Sequence, residues 1–158
     1  MKRELGCVLM ILLCAGAAAA ETVPDFTLPG INGAPFRMGE HIGKKIYVID
    51  FWASWCSPCK TLLKRLQEIK DRDADVEVIA ISIDDASARA MAVNYIQGKR
   101  FDFLVLFDAE GRVAKTLNPS LQIPFTLIVD RGGRIVYSHA GYVPGIEQEL
   151  QARIQDCK

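Results

Sequence analysis

The sequence has no excess of charge of either sign. Nineteen Lys and Arg residues balance nineteen Asp and Glu residues, so the formal net charge is zero. The basic residues form no cluster or stripe, and the sequence contains no RNA-binding signature and no internal repeat. Since proteins bind nucleic acid mainly by placing Lys and Arg on its phosphate groups, we expect no nucleic-acid partner.

The sequence also lacks an apolar run of the length that a membrane-spanning helix requires. Its best candidate, Leu5–Ala20, is shorter than the ~20 residues needed to cross a bilayer. The run follows the basic Met1-Lys2-Arg3 and ends in Ala18-Ala19-Ala20, which fits an A-x-A cleavage site. These features predict a signal peptide over residues 1–20, cleaved after Ala20, and therefore a periplasmic or otherwise exported protein.

Two alternatives remain open for this leader. Left uncleaved, it would anchor the protein to the membrane. A lipoprotein signal at Cys14 is the other alternative, but Leu13 is large where such signals have a small residue. The remaining residues, 21–158, have the length of one domain that can bury a core without disulfide staples.

Cysteine and histidine are scarce, with five and two residues respectively. Outside the leader only Cys56, Cys59 and Cys157 remain, and the two histidines are far apart in sequence. A structural zinc site needs four ligands, usually from a second C-x-x-C or a closely spaced histidine pair. We therefore predict no metal site and no bound cofactor, and we interpret Cys56 and Cys59 as a redox pair. Cys157 is interpreted as a bystander thiol, with an intermolecular disulfide as the alternative.

The paired cysteines lie between a predicted strand and a predicted helix. The β-branched and aromatic residues of Lys45–Trp52 indicate a buried strand. After the cysteines, apolar residues recur at helical spacing, namely Leu62, Leu63, Leu66 and Ile69. The pair is therefore expected at the N-terminus of a helix, with Pro58 in the first turn, where a missing N–H costs nothing.

This position gives the two thiols different predicted roles. Unpaired backbone N–H groups and the helix dipole favour negative charge at a helix N-terminus and lower the pKa of a cysteine there. Cys56 is therefore the expected attacking thiolate. Cys59 lies one turn further into the helix, so we expect it to be more buried and to resolve a mixed disulfide that Cys56 has formed.

The rest of the chain predicts further strands and helices. Val76–Ile83 is nearly continuously apolar, which is typical of a central strand, and the strand–helix–strand order makes it parallel to the first strand. Within the following helix pattern, Asp84-Asp85 is interpreted as an N-cap and Met91 as core filling. The other predicted elements are short strands within Val23–Phe36, a helix over Ala86–Gly98, a strand over Phe103–Phe107, a helix over Gly111–Leu117, a hairpin of Phe125–Val129 and Arg134–Ser138, and a last helix through Ile146, Leu150 and Ile154.

The segment Asp50–Lys60, which contains Trp-Cys-Ser-Pro-Cys, resembles the active-site segment of thioredoxin. With the leader and Val23–Leu28, it makes the chain similar to the exported TlpA/ResA-like branch of the thioredoxin superfamily over about Val23–Ile154. The resemblance implies an α/β fold, a thioredoxin-like mixed sheet flanked by helices, with an N-terminal hairpin extension and a helix–strand insertion. It also implies thiol–disulfide exchange with protein thiol and disulfide substrates.

The resemblance also implies further site residues. Asp50 stands in an apolar strand, where a carboxylate is costly without a role or a partner. It resembles the buried aspartate of thioredoxin, which implies a raised pKa and a role as general base for Cys59, and the alternative is that Asp50 ends the strand and faces solvent. Ile123-Pro124 resembles the cis-proline that faces the dithiol in thioredoxin-fold proteins, where the backbone can pair with an extended substrate. Trp55 is expected to line the same substrate face.

The residues between the cysteines bear on the direction of exchange. Ser57-Pro58 lacks the histidine of strongly oxidising relatives, and redox poise follows how well the reduced form is stabilised. We therefore favour a reductase over an oxidase. The resemblance implies a membrane thiol transporter as its electron donor and, for example, a role in cytochrome c maturation, and we expect the protein to be a monomer. One alternative is a peroxiredoxin-like thiol peroxidase, although peroxiredoxins usually carry a T-x-x-C signature at this turn. The other is a non-catalytic copper-binding or interaction module, although copper-handling relatives use C-x-x-x-C, one residue longer than the spacing here.

Overall fold

The computed structural model describes residues 21–158 of the chain. The predicted signal peptide, residues 1–20, lies outside the described residues. Within the described part, no helix has both the length and the apolar character needed to cross a membrane. The described chain begins with an antiparallel hairpin of two short strands, β1 (Thr27–Pro29) and β2 (Pro35–Arg37), which is the predicted N-terminal extension.

A five-stranded mixed sheet forms the centre of the fold. Its strands are β3 (Ile46–Trp52), β4 (Val76–Ser82), β5 (Leu104–Phe107), β6 (Phe125–Val129) and β7 (Ile135–Ala140), in the spatial order β5-β4-β3-β6-β7. β3 and β4 pair in parallel, as do β4 and β5, whereas β6 runs antiparallel to both β3 and β7. The parallel β3–β4 pair confirms the strand–helix–strand prediction.

Helices cover both faces of this sheet, which confirms the predicted thioredoxin-like α/β fold. They are α1 (Ser57–Arg72), α2 (Arg89–Lys99), α3 (Arg112–Leu117) and α4 (Ile146–Asp156). Apolar residues of α1, α2 and α4 share one core cluster, while α3 packs with the N-terminal hairpin in the cluster on the other face. The segment α2–β5–α3 is the predicted insertion.

β3 lies in the middle of the sheet, and all seven of its residues are buried. Successive side chains of a strand point to opposite faces. Val48 and Trp52 pack with α1, α2 and α4, whereas Ile49 and Phe51 join the opposite core. Asp50 is two positions from both Val48 and Trp52, so its carboxyl lies on the same face as they do, the face covered by α1, the helix that begins at the cysteines.

The prediction for Met91 was wrong, because its side chain is exposed. The residues of α2 that are buried in the core are Ala92 and Ile96, four positions apart. Met91 lies one position off this stripe. The apolar character of Met91 therefore did not show which side of α2 faces the sheet.

Candidate active site

The two cysteines lie where β3 leads into α1. Cys56 is the N-cap of α1, and its Sγ accepts a hydrogen bond from the backbone N–H of Cys59 at 3.2 Å. The two residues form a disulfide with their Cα atoms 5.3 Å apart. Pro58 lies in the first turn, as predicted. A backbone N–H directed at Cys56 Sγ can stabilise negative charge on that sulfur once the disulfide is reduced.

The two cysteines differ in exposure. Cys56 keeps 5% of its surface accessible, whereas Cys59 is completely buried. Of the two, only Cys56 therefore has any surface that an incoming molecule can contact. Directly before it, Trp55 is 67% exposed and offers a large apolar surface to an incoming chain.

Asp50 is completely buried, so the alternative that it faces solvent is wrong. Its Oδ1 accepts a hydrogen bond from Thr126 Oγ1 at 2.8 Å, and within residues 21–158 its Oδ2 has no hydrogen-bond partner. Burial raises the pKa of Asp50 from 3.8 to about 8, because desolvation disfavours the carboxylate, while the Thr126 hydrogen bond acts in the opposite direction. This carboxyl can hold or release a proton near neutral pH.

The Ile123-Pro124 peptide bond is cis, as the resemblance implied. Pro124 directly precedes β6, whose first residue, Phe125, pairs with Phe51 near the end of β3. The cysteine-bearing loop leaves β3 at that same end. The proline and the disulfide therefore lie at the same end of the two neighbouring strands. Ile123 is half-buried and packs against the core cluster that contains both cysteines.

A polar row crosses the sheet beneath the disulfide-bearing helix. Asp50 on β3 pairs with Thr126 on β6, and Thr126 pairs with His139 on β7. Residues directly opposite each other on neighbouring strands share a face, so all three side chains lie on the α1 side. Nε2 of His139 is buried and lacks a hydrogen-bond partner in the described part of the chain. Sequence reasoning identified neither Thr126 nor His139, because strand pairing was needed to bring them to Asp50.

Asp84 is a second buried carboxylate near the site, and the prediction that it caps the following helix was wrong. Asp85 does not cap it either, because the N-cap of α2 is Ala88, without a side-chain cap. Asp85 accepts hydrogen bonds from the N–H groups of Ser87 and Ala88 at 2.9 and 3.0 Å in the turn that leads into α2. Asp84 instead accepts hydrogen bonds from Ser54, in the loop that carries Trp55 and Cys56. Asp84 directly follows β4, the parallel neighbour of β3, and this explains how it reaches that loop.

α2 supports the first turn of α1 through Tyr95. The Tyr95 hydroxyl donates a hydrogen bond to the Lys60 carbonyl at 3.2 Å, and the Lys60 ammonium lies 4.9 Å from the centre of the Tyr95 ring. The same ring lies 5.9 Å from that of Trp52. The insertion therefore contacts the helix that carries the cysteines.

Cys157 lies away from this site. It is the C-cap of α4, where its Sγ donates to the Arg153 carbonyl at 3.1 Å and burial raises the pKa of the thiol. Cys157 borders a pocket with Asp130, which follows β6 at the end opposite Pro124. Among residues 21–158, no three His, Cys, Asp or Glu side chains cluster as metal ligands would.

Comparisons with known proteins concern most of the chain. A model of the AhpC/TSA family matches residues 19–138. The thiol:disulfide interchange protein DsbE homolog of Paracoccus denitrificans is 32% identical over 143 residues, which cover 84% of this chain and 76% of that protein. The thiol-disulfide oxidoreductase ResA of Bacillus thuringiensis is 24% identical over 120 residues, 75% of this chain and 67% of that one. A solved structure from Chlorobium tepidum, assigned as a thiol:disulfide interchange protein DsbE, has a TM-score of 0.77 at 26% identity and covers 87% of this chain and 96% of that chain.

Proposed function

The chain belongs to the AhpC/TSA family and is a thiol-disulfide oxidoreductase with a thioredoxin-like fold, and we propose that it is an exported reductase of protein disulfides. The observation that carries the proposal is the Cys56–Cys59 disulfide, with Cys56 slightly accessible at the N-terminus of α1 and Cys59 completely buried. Such a pair can accept and donate two electrons without a metal or an organic cofactor.

In the proposed reaction, the Cys56 thiolate attacks one sulfur of a substrate disulfide. A mixed disulfide forms and one substrate thiolate leaves. Cys59 then loses its proton, and its thiolate attacks Cys56 Sγ, which forms the Cys56–Cys59 disulfide and releases the second substrate thiolate. Two electrons pass from the protein to the substrate, and the oxidised state is the one that the structure contains.

We propose Asp50 as the group that takes the proton from Cys59. Its pKa of about 8 lies close to neutral pH, which suits a group that must both accept and release a proton. Its position on the α1 face of the sheet supports this role. Trp55, Ile123 and Pro124 are the proposed substrate contacts, with an extended substrate segment lying along the backbone beside Pro124.

The direction of exchange rests on Ser57-Pro58, which lacks a histidine that would stabilise the reduced form. A reductase in an oxidising compartment must itself be reduced, and we propose a membrane thiol transporter as the electron donor. By the resemblance to TlpA/ResA-like proteins, apocytochromes c are one proposed class of substrate. The protein is expected to act as a monomer.

The reduction potential of residues 21–158, measured by equilibration in glutathione buffers, tests this direction. A Cys157→Ser background leaves only the two site thiols, and a Cys56→Ser variant is the control that cannot form the disulfide. We expect a potential near that of thioredoxin, roughly −270 mV. A potential near that of a strong oxidant, roughly −120 mV, would instead make the protein a disulfide donor.

Export is proposed from the leader and is tested separately. Expression of the full chain in a Gram-negative host, followed by fractionation and intact-mass analysis, should give periplasmic protein that begins at Glu21. A lipid-modified product that starts at Cys14, or a chain that keeps residues 1–20, would show that the leader anchors the protein instead. A Cys14→Ser variant separates these two outcomes, because only the lipid-modified form depends on that cysteine.

The three individual relatives described above are all named as thiol-disulfide proteins, which favours exchange over the alternative functions. A peroxidase would consume hydrogen peroxide in stoichiometric excess over its own thiols when thioredoxin regenerates it. A copper-binding module would bind one copper ion without reducing insulin. Each assay uses the same protein as the potential measurement.

A further inference from the structure

One buried carboxylate near the site has no part in the proposed reaction. Asp84 is only 2% exposed, directly after β4. It accepts three hydrogen bonds: from Ser54 N–H at 2.8 Å, from the Ser54 hydroxyl at 2.7 Å and from the Ser82 hydroxyl at 2.8 Å. Burying a carboxylate is costly unless it is well hydrogen-bonded, and hydrogen bonds to a charged acceptor are stronger than neutral ones. Asp84 therefore holds Ser54 firmly.

Ser54 lies in the turn that leads to Cys56, the more accessible of the two cysteines. The Cys56 N–H donates to the Ala53 carbonyl at 3.0 Å, so Ser54 and Trp55 are the two central residues of this turn. Both hydrogen-bond donors of Ser54, its backbone N–H and its hydroxyl, donate to Asp84. At the base of the turn, the Ile83 N–H donates to the Trp52 carbonyl at 2.9 Å and continues the β3–β4 pairing. The turn is thereby fixed to the end of β4.

The importance of this attachment changes with the redox state. In the oxidised protein, the covalent bond to Cys59 also holds Cys56 at the start of α1. Reduction breaks that bond, and the hydrogen bonds from Ser54 to Asp84 remain as a side-chain restraint on the turn. A thiolate gains the stabilisation of the helix N-terminus only if it stays within reach of the N–H groups there, such as that of Cys59.

We propose that Asp84 is a positioning residue for exchange, which holds the Ser54–Cys56 turn so that the reduced Cys56 thiolate stays at the N-terminus of α1. The inference rests on the proposed function, because it assigns the carboxylate a role in the reduced half of that cycle. Without the attachment, the reduced form loses stabilisation relative to the disulfide. The reduction potential then becomes more negative.

Four variants of residues 21–158 in the Cys157→Ser background test this role. Asp84→Asn keeps the shape but replaces one acceptor oxygen with an amide nitrogen. Ser54→Ala removes the hydroxyl while keeping the Asp84 charge, and Ser54→Thr restores the hydroxyl. Asp108→Asn is the matched control, because Asp108 is also buried (3% exposed), directly follows the next strand, β5, and accepts two backbone hydrogen bonds, from Arg112 and Ala114 in α3.

The readouts are the reduction potential in glutathione buffers and the rate at which iodoacetamide alkylates Cys56 in the reduced protein at pH 7. For Asp84→Asn and Ser54→Ala we expect slower alkylation and a several-fold lower equilibrium constant for reduction of the Cys56–Cys59 disulfide by glutathione. A tenfold change in that constant corresponds to about 30 mV. Ser54→Thr should behave as the parent does, and Asp108→Asn should lose stability with its potential unchanged.

Three outcomes would overturn the inference. The first is an Asp84→Asn potential that matches that of Asp108→Asn. The second is faster alkylation in Asp84→Asn, which would mean that the Asp84 charge merely opposes the thiolate. The third is a Ser54→Ala variant with the same reduction potential and alkylation rate as Ser54→Thr. This comparison can be made even if Asp84→Asn does not fold. A parent protein that forms no reversible disulfide would overturn the proposed function itself, whereas an active parent with unaffected variants would overturn only the role of Asp84.

Discussion

The hydroxyl of Thr126 donates a hydrogen bond to Oδ1 of Asp50 at 2.8 Å, from one central strand to the next. This bond favours the ionised carboxylate, whereas the complete burial of Asp50 favours the neutral acid. Burial has the larger effect, and the pKa of Asp50 rises to about 8. The proton affinity of the proposed general base is therefore set by two opposing causes, and one of them can be removed by mutation.

Replacing Thr126 with valine removes the hydrogen bond and preserves the side-chain shape. We expect the pKa of Asp50 to rise further, because a hydrogen bond to the charged form lowers a carboxyl pKa. Carbon-detected NMR of the Asp50 carboxyl group in the oxidised protein measures this directly. Thr116→Val is the control, since Thr116 lies on the exposed side of α3 and its hydroxyl donates to the Arg112 carbonyl. An unchanged or lower pKa in Thr126→Val would show that the bond does not stabilise the carboxylate.

The raised pKa of Asp50 also predicts how stability depends on pH. The unfolded chain loses this proton near pH 3.8, whereas the folded protein keeps it up to about pH 8. Between these values the folded state binds more protons, so the free energy of unfolding falls as pH rises, by about 1.4 kcal/mol per pH unit from this group. Above pH 8 the loss is complete. In Asp50→Asn this slope is absent, so the variant should gain stability relative to the parent as pH rises.

Urea denaturation of the oxidised parent and of Asp50→Asn at pH 5 and pH 7 checks this expectation. The difference between the two proteins should grow by on the order of 3 kcal/mol over that interval. Asp108→Asn again serves as the control for the loss of a buried aspartate. Parallel stability curves for the parent and Asp50→Asn would mean that Asp50 is already ionised at pH 5.

The features that the sequence predicted correctly are those encoded by nearby residues. Nearly continuous apolar runs were enough to identify β3 and β4, helical apolar spacing was enough to identify α1, and the strand-to-helix position of Cys56 followed from them. Hydrogen bonds between distant segments were not predicted. Ser54 and Asp84 are 30 residues apart, and Asp50 and Thr126 are 76 residues apart. Their partners depend on which strands become neighbours and in which register, and single-residue patterns do not contain that information.

Asp84-Asp85 shows the same limit at the scale of one residue. Both aspartates precede a helix pattern, where a cap is the usual role. In the structure the two residues differ because of where β4 ends. Asp84 lies beside the loop that follows β3, whereas Asp85 lies in the turn before α2. Met91 and Ala92 differ for a similar reason. Ala92 lies on the side of α2 that packs on the sheet and is buried, whereas Met91 lies off that side and is exposed.

Trp55 is expected to serve substrate binding and to contribute little to stability, because most of its surface is exposed. Trp55→Ala should change the free energy of unfolding by less than about 0.5 kcal/mol. It should raise KM several-fold for insulin reduction while leaving the reaction with dithiothreitol nearly unchanged. Val136→Ala is the control, since Val136 is another exposed apolar residue, near the start of β7 at the opposite end of the sheet. Equal effects on insulin and dithiothreitol would argue that Trp55 acts on the thiol itself.

Arg100 offers a stabilising change away from the site. It ends α2 in the left-handed region, with φ of 56°, a conformation that costs less for glycine than for residues with a Cβ. Arg100→Gly should therefore raise the free energy of unfolding by about 0.5–1 kcal/mol without changing insulin reduction. Arg100→Ala, which removes the long side chain but keeps the Cβ, should give no such gain. A stabilised Arg100→Ala would trace the effect to the arginine side chain instead of the backbone.

The different exposure of the two cysteines predicts which one forms the mixed disulfide. In Cys59→Ser, the accessible Cys56 can still attack a substrate, but the resolving thiol is gone, so a one-to-one mixed disulfide with a protein substrate should accumulate. Cys157 does not rescue resolution, because it lies at the far end of β6 and bonds the Arg153 carbonyl. Non-reducing electrophoresis and intact-mass analysis after incubation with insulin measure the adduct. In Cys56→Ser combined with Cys157→Ser, the buried Cys59 should form none, and an adduct there would reverse the assignment of attacking and resolving thiols.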